Sequence, residues 1–470
     1  MADWTFMQKL TKKYGLITVS AMVVGIVIGS GVFYKAQDIL VQLNGNMPLG
    51  ILAWLAGGTI MLTCSLAFAN MATMYERVGG VVDYAEATSG QSFAYYLSWF
   101  LATVHYPSLV SVLAWVSARF IGAIFGWEMS GGNVMMLAGI LLVLSFTLNA
   151  ISPKLAGRFQ VSSTVIKLIP LILMAIIGTV HGFSSGIIAE SFASDAGKVD
   201  NMAVFGAIVA TAFAYEGWII ATSINAEVTD AKKNLPRALI FGGIIIVAIY
   251  VLYYIGVSGA VSTEVLMKDG ATAAFTSLFG NKFGVVLNVF VAVSCLGTLN
   301  GLMLATIRAF YVMGARLKGQ CSAYLSELNP HTNIPNNSAI LGLLCSAMWL
   351  FYFYGANVTE GWFGVFNFDS SELPVITIYA LYIPIFINFM IKEKSLPFVK
   401  RFLIPSLATA SSCFIIIATI YAHGIRPYLA AREEGAFSFP VLFYLIIFAI
   451  IMLGGFLLKF TTDKKEKEGR

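Results

Sequence analysis

Twelve stretches of this chain are apolar for long enough to cross a bilayer core, which takes about 20 helical residues. They run roughly 16–41, 48–74, 93–125, 134–150, 156–181, 202–227, 238–260, 283–314, 338–355, 373–391, 402–423 and 439–460. In lipid every backbone N–H and C=O must be paired within the protein, so the chain is read as all-α and polytopic. Of its residues 58% are hydrophobic and 11% charged, with mean hydropathy +0.81, which leaves no stretch for a sizeable domain outside the membrane. The first run is full length and lacks a small-residue cleavage site, so it is read as a span rather than a signal peptide. The net charge of +5 is dispersed between spans and points to no nucleic-acid partner. Cys64, Cys295, Cys321, Cys345 and Cys413 are scattered without paired spacing, as packing residues rather than disulfides or metal ligands. No phosphate loop, nucleophile elbow or metal-ligand set is present, so an enzyme, a metal and a cofactor are not expected. A channel would need a ring or filter motif, which is also missing.

Twelve spans put both termini on one side. Lys9, Lys12, Lys13, Arg77, Lys154, Arg158, Lys232, Lys233, Arg237, Arg316, Lys318, Lys392, Lys394, Lys400, Arg401 and the basic tail all fall on that side. Lys198, Lys268, Lys282, Arg426 and Arg432 fall on the other. The excess assigns both termini to the cytoplasm and the chain to the inner or plasma membrane.

Two spans are interrupted. In the first, Gly25-Ile-Val-Ile-Gly29-Ser30-Gly31-Val-Phe33 is a poor helix, since each glycine costs about 1 kcal/mol against alanine. A break there frees N–H groups at the start of the second half-helix, which suit a carboxylate, and carbonyls ending the first, which suit an ammonium. An α-amino acid carries both. The competing reading is a packing face, with Gly25 and Gly29 admitting a neighbouring helix. The sixth span is interrupted at Phe213-Ala-Tyr-Glu216-Gly217-Trp218. Broken spans five apart run in opposite directions, the sign of an inverted repeat with a site at the midplane between the breaks.

Four motifs carry a family resemblance: Gly29–Phe33; Gly79-Gly80 with Tyr84; Phe213–Trp218 followed by Glu227 and Asn234-Leu-Pro236; and Leu296-Gly-Thr-Leu-Asn-Gly301 with Arg308 and Ala315-Arg316. With Tyr106-Pro107, they resemble the amino acid–polyamine–organocation superfamily, in its L-type amino acid transporter branch and bacterial exchangers. The resemblance covers spans 1–10. It implies a five-plus-five inverted repeat of the LeuT-type fold with broken helices 1 and 6. The parts are then a cytoplasmic N-terminus at 1–14, a first repeat at 15–181, a second at 202–391, two additional helices at 402–460 and a cytoplasmic tail at 461–470.

The resemblance and the helix-end argument place the substrate carboxylate on Gly29, Ser30 and Gly31. The amine falls to the carbonyls of Val27, Ile28, Phe213 and Ala214. Phe213 resembles the branch's aromatic gate. Glu216 stands where mammalian relatives carry glycine; an acid at mid-membrane is a proton carrier, a counter-ion for the amine, a partner for a membrane lysine, or a cap that keeps the span broken. Lys167 lies deep in span 5, where sodium-coupled relatives bind their ion, and is read as a surrogate cation or proton site; its alternative is a lysine reaching a carboxylate elsewhere. Tyr106, Tyr215, Trp218 and Asn300 are candidate pocket residues. Tyr250, Tyr253 and Tyr254 offer one substrate-path residue among them. His105 faces the pocket or is structural, Lys35 and Arg119 are placed at the membrane interface, and Arg308 in a vestibule.

The expected function is sodium-independent exchange of small neutral L-amino acids such as alanine, serine or threonine, by alternating access. The alternatives are a proton-coupled symporter and a carrier of cationic amino acids or amines. A small-molecule amino acid and the bilayer are the expected partners. Residues 126–133 hold no cysteine, so no disulfide-linked subunit is expected.

Overall fold

The computed structural model describes residues 14–29, 31–75, 79–193, 202–220, 222, 228–357 and 361–467. Ser30, Arg77, Lys198 and Glu227, named above, lie outside the described residues. The first span is two helices, α1 (Leu16–Val27) and α2 (Gly31–Gln42), bent by 45° at the break. There follow α3 (Met47–Met74), α4 (Val81–Ser89), α5 (Gln91–Phe125), α6 (Gly132–Ile151), α7 (Pro153–Ser185), α8 (Ile187–Ala193) and α9 (Ala203–Ala214). The second half holds α10 (Ala231–Ala260), α11 (Thr263–Phe279), α12 (Asn281–Gly314), α13 (Gly319–Ser326), α14 (Asn336–Asn357), α15 (Leu373–Lys392), α16 (Val399–Glu433) and α17 (Pro440–Lys467). Among the described residues eleven helices are long and apolar enough to cross a membrane, twelve with α1 and α2 as one broken span.

Local chemistry sets the ends. Asn46 caps α3, its side chain accepting from Leu49 N at 3.0 Å, with Pro48 in the first turn where no N–H is needed. Gly126, left-handed at φ +66°, ends α5. Lipid provides no hydrophobic drive between helices, so association rests on close packing of small residues. The approach of α7 to α10 is such a case. A Cβ at Gly256 would lie 2.2 Å from the Met174 carbonyl oxygen, and one at Gly178 would lie 2.3 Å from that of Gly256. Gly182 and Gly259 continue the seam one turn on. A π-turn at Met174–Gly178, just after Pro170, bends α7 into this contact.

The broken spans lie inside this frame. α1 packs on α10, α7 and α12, whereas α2 packs on α9 and α11, and α9 also packs on α3. α5 and α12 form the most extensive helix pair and supply the facing wall. Four helices stand where the sequence reading left connections: α4, α8, α11 and α13. Of these α11 touches the site indirectly, since Gln37 on α2 donates to Met267 O at 2.9 Å and Lys268 O at 3.1 Å. Apolar periodicity is too weak over these short amphipathic pieces to tell helix from loop.

Candidate functional site: a pocket between two broken helices

α9 stops at Ala214 and the chain turns through Tyr215, Glu216 and Gly217. Gly217 has φ +107°, which a side chain would strain. Opposite, α1 ends at Val27 and α2 begins at Gly31. The two breaks face each other closely: a Cβ on Gly31 would sit 2.5 Å from the Cα of Ala214. Between them and α5 and α12 lies a pocket lined by Ile26, Val27, Gly29, Gly31, Leu109, Leu113, Phe213, Ala214, Glu216, Gly217, Thr298 and Leu302. Glu216 and Thr298 are the polar side chains in that lining; the rest are glycines and hydrocarbon side chains.

Tyr250 of α10 ties the breaks together. Its hydroxyl lies 3.1 Å from the Val27 carbonyl and 3.0 Å from that of Ala214, and can donate to one at a time. These are two of the carbonyls expected to meet an amine, and each keeps a lone pair beyond the one the phenol uses. Of the three tyrosines left open above, Tyr250 is the one that reaches the breaks. Tyr253 instead packs edge-on against Phe33, and Tyr254 against Trp54.

Lys167 is fully buried on α7. Its ammonium donates to the Gly25 carbonyl of α1 and approaches Thr298 Oγ1 of α12 at 3.5 Å. It thus stands among spans 1, 5 and 8, as the resemblance implied, and bonds a carbonyl and a hydroxyl rather than a carboxylate. Gly25 packs against Thr164, and a Cβ there would lie 2.4 Å from its Oγ1, so this glycine also serves a packing face.

Glu216 meets His105. Oε1 lies 3.3 Å from Nε2, and Nδ1 lies 3.3 Å from the Pro374 carbonyl of α15, with His105 wholly buried and Glu216 8% exposed. His105, Leu109 and Leu113 recur at four-residue intervals, one face of α5.

Two ionic ties flank the pocket. Lys35 of α2 bonds Glu372 at 2.5 Å, Glu372 also meets His423 of α16 at 2.8 Å, and the Lys35 ammonium lies 5.6 Å from the centre of the Phe213 ring. Lys35 is therefore buried, at 4% exposure, not at the membrane interface as expected: a mid-protein carboxylate draws it inward. Arg119 is exposed. At the other end of the bundle Arg316, just past the end of α12, bonds Asp83 at 2.7 Å and Glu86 at 2.6 Å, both on α4. There the start of α1 is held to the start of α10, with Thr229 N donating to Tyr14 O at 2.9 Å.

Four candidate pocket residues lie outside the lining. Asn300 is bonded to Asn149 at 2.9 Å and to Ala156 O and Gln160 at 3.2 Å, because it lies two residues, or 200° of helix, around α12 from Thr298. Tyr215 turns away to donate to Trp54 O at 2.9 Å, and Trp218 packs on Phe68 and Tyr382. Tyr106 stands one residue, 100° of helix, off the Leu109–Leu113 face. Thr298, Leu109, Leu113 and Leu302 were not singled out by sequence; Thr298 sits within a motif already quoted, and the leucines follow His105 and Thr298 at helical spacing.

Opposed helix breaks at the middle of a polytopic bundle, facing one pocket, define a secondary transporter rather than an enzyme. The amino acid permease family profile matches residues 14–450, and the chain belongs to that family: it is an amino acid transporter of the membrane. It is 28% identical over 423 residues to the serine/threonine exchanger SteT of Bacillus subtilis, covering 87% of this chain and 92% of that protein. It is 26% identical over 423 residues to the human b(0,+)-type amino acid transporter 1, covering 89% and 85%. The solved structure of MhsT in complex with L-phenylalanine superposes with a TM-score of 0.58 at 14% identity, over 88% of this chain and 100% of that one, which gives the LeuT-type inverted-repeat fold.

Proposed function

We propose that this transporter exchanges small neutral L-amino acids across the cell membrane without sodium. The observation that carries the reading is the pocket itself: two opened helix ends for the zwitterion, and hydrocarbon from Leu109, Leu113 and Leu302 for its side chain. The opened helix ends bind the zwitterion: the backbone amides at Gly29 and Gly31 take the carboxylate, and the carbonyls of Val27, Ile28, Phe213 and Ala214 take the ammonium. Phe213 closes over the bound molecule. Lys167 supplies the positive charge that a sodium ion would otherwise bring between α1, α7 and α12. The likeness to a serine/threonine exchanger supports both the small substrate and the exchange mode. The basic-residue bias supports cytoplasmic termini, 15–181 and 202–391 are the two repeats, and no disulfide-linked subunit is required.

Purified protein in proteoliposomes tests this. Labelled alanine or serine enters vesicles preloaded with unlabelled amino acid and not empty ones, at the same rate in sodium and in choline. Uptake into empty vesicles driven by a pH gradient makes the protein a proton symporter instead.

A further inference from the structure

The His105–Glu216 pair poses a proton-counting problem. A neutral imidazole has one N–H. The Pro374 carbonyl, 3.3 Å from Nδ1, can only accept, so Nδ1 carries that proton. Nε2 then faces Glu216 Oε1 at 3.3 Å. If Nε2 is bare and the carboxyl ionised, two lone pairs confront each other in a buried site. The contact is made only when one further proton is present, as imidazolium with carboxylate or as imidazole with carboxylic acid. Either way the pair is electrically neutral. Without that proton it carries one negative charge, on a carboxylate that lines the pocket.

Among the described residues little else balances that charge. There the titratable groups facing the pair are the phenols of Tyr106 on α5 and of Tyr379 and Tyr382 on α15. The buried cations bordering the pocket are engaged elsewhere: Lys35 by Glu372, and Lys167 by Gly25 and Thr298. Leu109, Leu113 and Leu302 bring no charge. An unpaired carboxylate in such a place is expensive until a cation joins it.

We propose that His105 and Glu216 share one proton that sets the charge of the pocket, so that it takes neutral amino acids while the proton is held and amino acids with a cationic side chain once it is released. His105 acts here as a selectivity residue through Glu216. The inference rests on the proposed function only in that an amino acid occupies this pocket; it does not depend on exchange.

The test is competition for labelled alanine by 2,4-diaminobutyrate and by norvaline, which match in size and differ by one ammonium group, on purified full-length protein in detergent. In the wild type, the affinity ratio of diaminobutyrate to norvaline rises about tenfold or more from acidic to neutral pH, as the shared proton is given up. In Glu216→Gln the ratio is low and flat with pH. In His105→Gln it is high and flat. Calorimetry in buffers of different ionisation enthalpy finds about one more proton released per diaminobutyrate than per norvaline at acidic pH in the wild type, and none in Glu216→Gln. Should His105→Gln fail to fold, Glu216→Gln and the proton count decide alone. A ratio with the same pH profile in wild type and Glu216→Gln, or no excess proton release, overturns the proposal. Failure of alanine to bind the wild type overturns the proposed function itself, whereas binding without exchange overturns only the exchange mode.

Discussion

Gly31 and Ala214 leave no space between the opened helices, and this is where a single methyl group matters most. A Cβ at Gly31 would meet backbone, which cannot swing aside as a flexible side chain can. Gly31→Val is therefore expected to abolish alanine binding while the protein still inserts and purifies; overpacking of this kind costs about 1–3 kcal/mol, enough to push the breaks apart without unfolding the bundle. Retained binding in that variant would remove the close approach from the argument. By contrast the atoms nearest a Cβ at Gly29 belong to the Thr298 side chain, with Oγ1 at 2.8 Å, so Gly29→Ala should be partly rescued by Thr298→Ala, which removes that oxygen, read as recovered alanine affinity. The glycines and the acid at the breaks were legible in sequence because each is costly in an apolar helix. What could not be read was which way neighbouring side chains turn. Asn300 looked like a pocket residue because it is polar in a span, yet Asn149 and Gln160, over 100 residues away along the chain, already engage it.

At the scale of elements, the buried ionic ties join pieces that the sequence keeps far apart. Arg316 is 3% exposed and Asp83 not at all, so removing the arginine leaves a carboxylate unpaired and costs about 3–5 kcal/mol. Arg316→Ala should lower the melting temperature in detergent, and adding Asp83→Asn should restore part of it; two losses that simply add would deny the coupling. Lys35 and Glu372 join α2 to the start of α15 in the same manner. Lys35→Met should be milder than Arg316→Ala, because His423 still faces Glu372 at 2.8 Å, and its coupling with Glu372→Gln in a double-mutant cycle should be about 1 kcal/mol or more. A span-by-span reading sees Lys35 as a charge near a helix end and sends it to the membrane surface. The partner that draws it inward lies 337 residues further on.

For the whole molecule, hydropathy alone delivered the spans, since lipid forces each long apolar run to satisfy its backbone as helix. The family likeness supplied their arrangement. The short helices α4 and α11 escaped because neither rule reaches them, although α4 carries the acids that Arg316 grips and α11 holds α2 through Gln37. The seam between α7 and α10 is a global feature in the same sense. Gly256→Leu should lower expression and melting temperature sharply, as backbone meets side chain at 2.2 Å, whereas Gly139→Leu, which meets nothing within 4 Å, should be neutral. Equal stability of the two variants would show that helix proximity there is incidental.

Tyr250 has one hydroxyl hydrogen and two carbonyls within its reach, one on each broken helix. When a cation settles against either carbonyl, the phenol can pass to the other, and no oxygen is stranded in a dry interior on the way. On the proposed mode of binding, arrival and departure become a handover rather than a rupture, and each broken helix is kept informed of the other by the swing of a single bond.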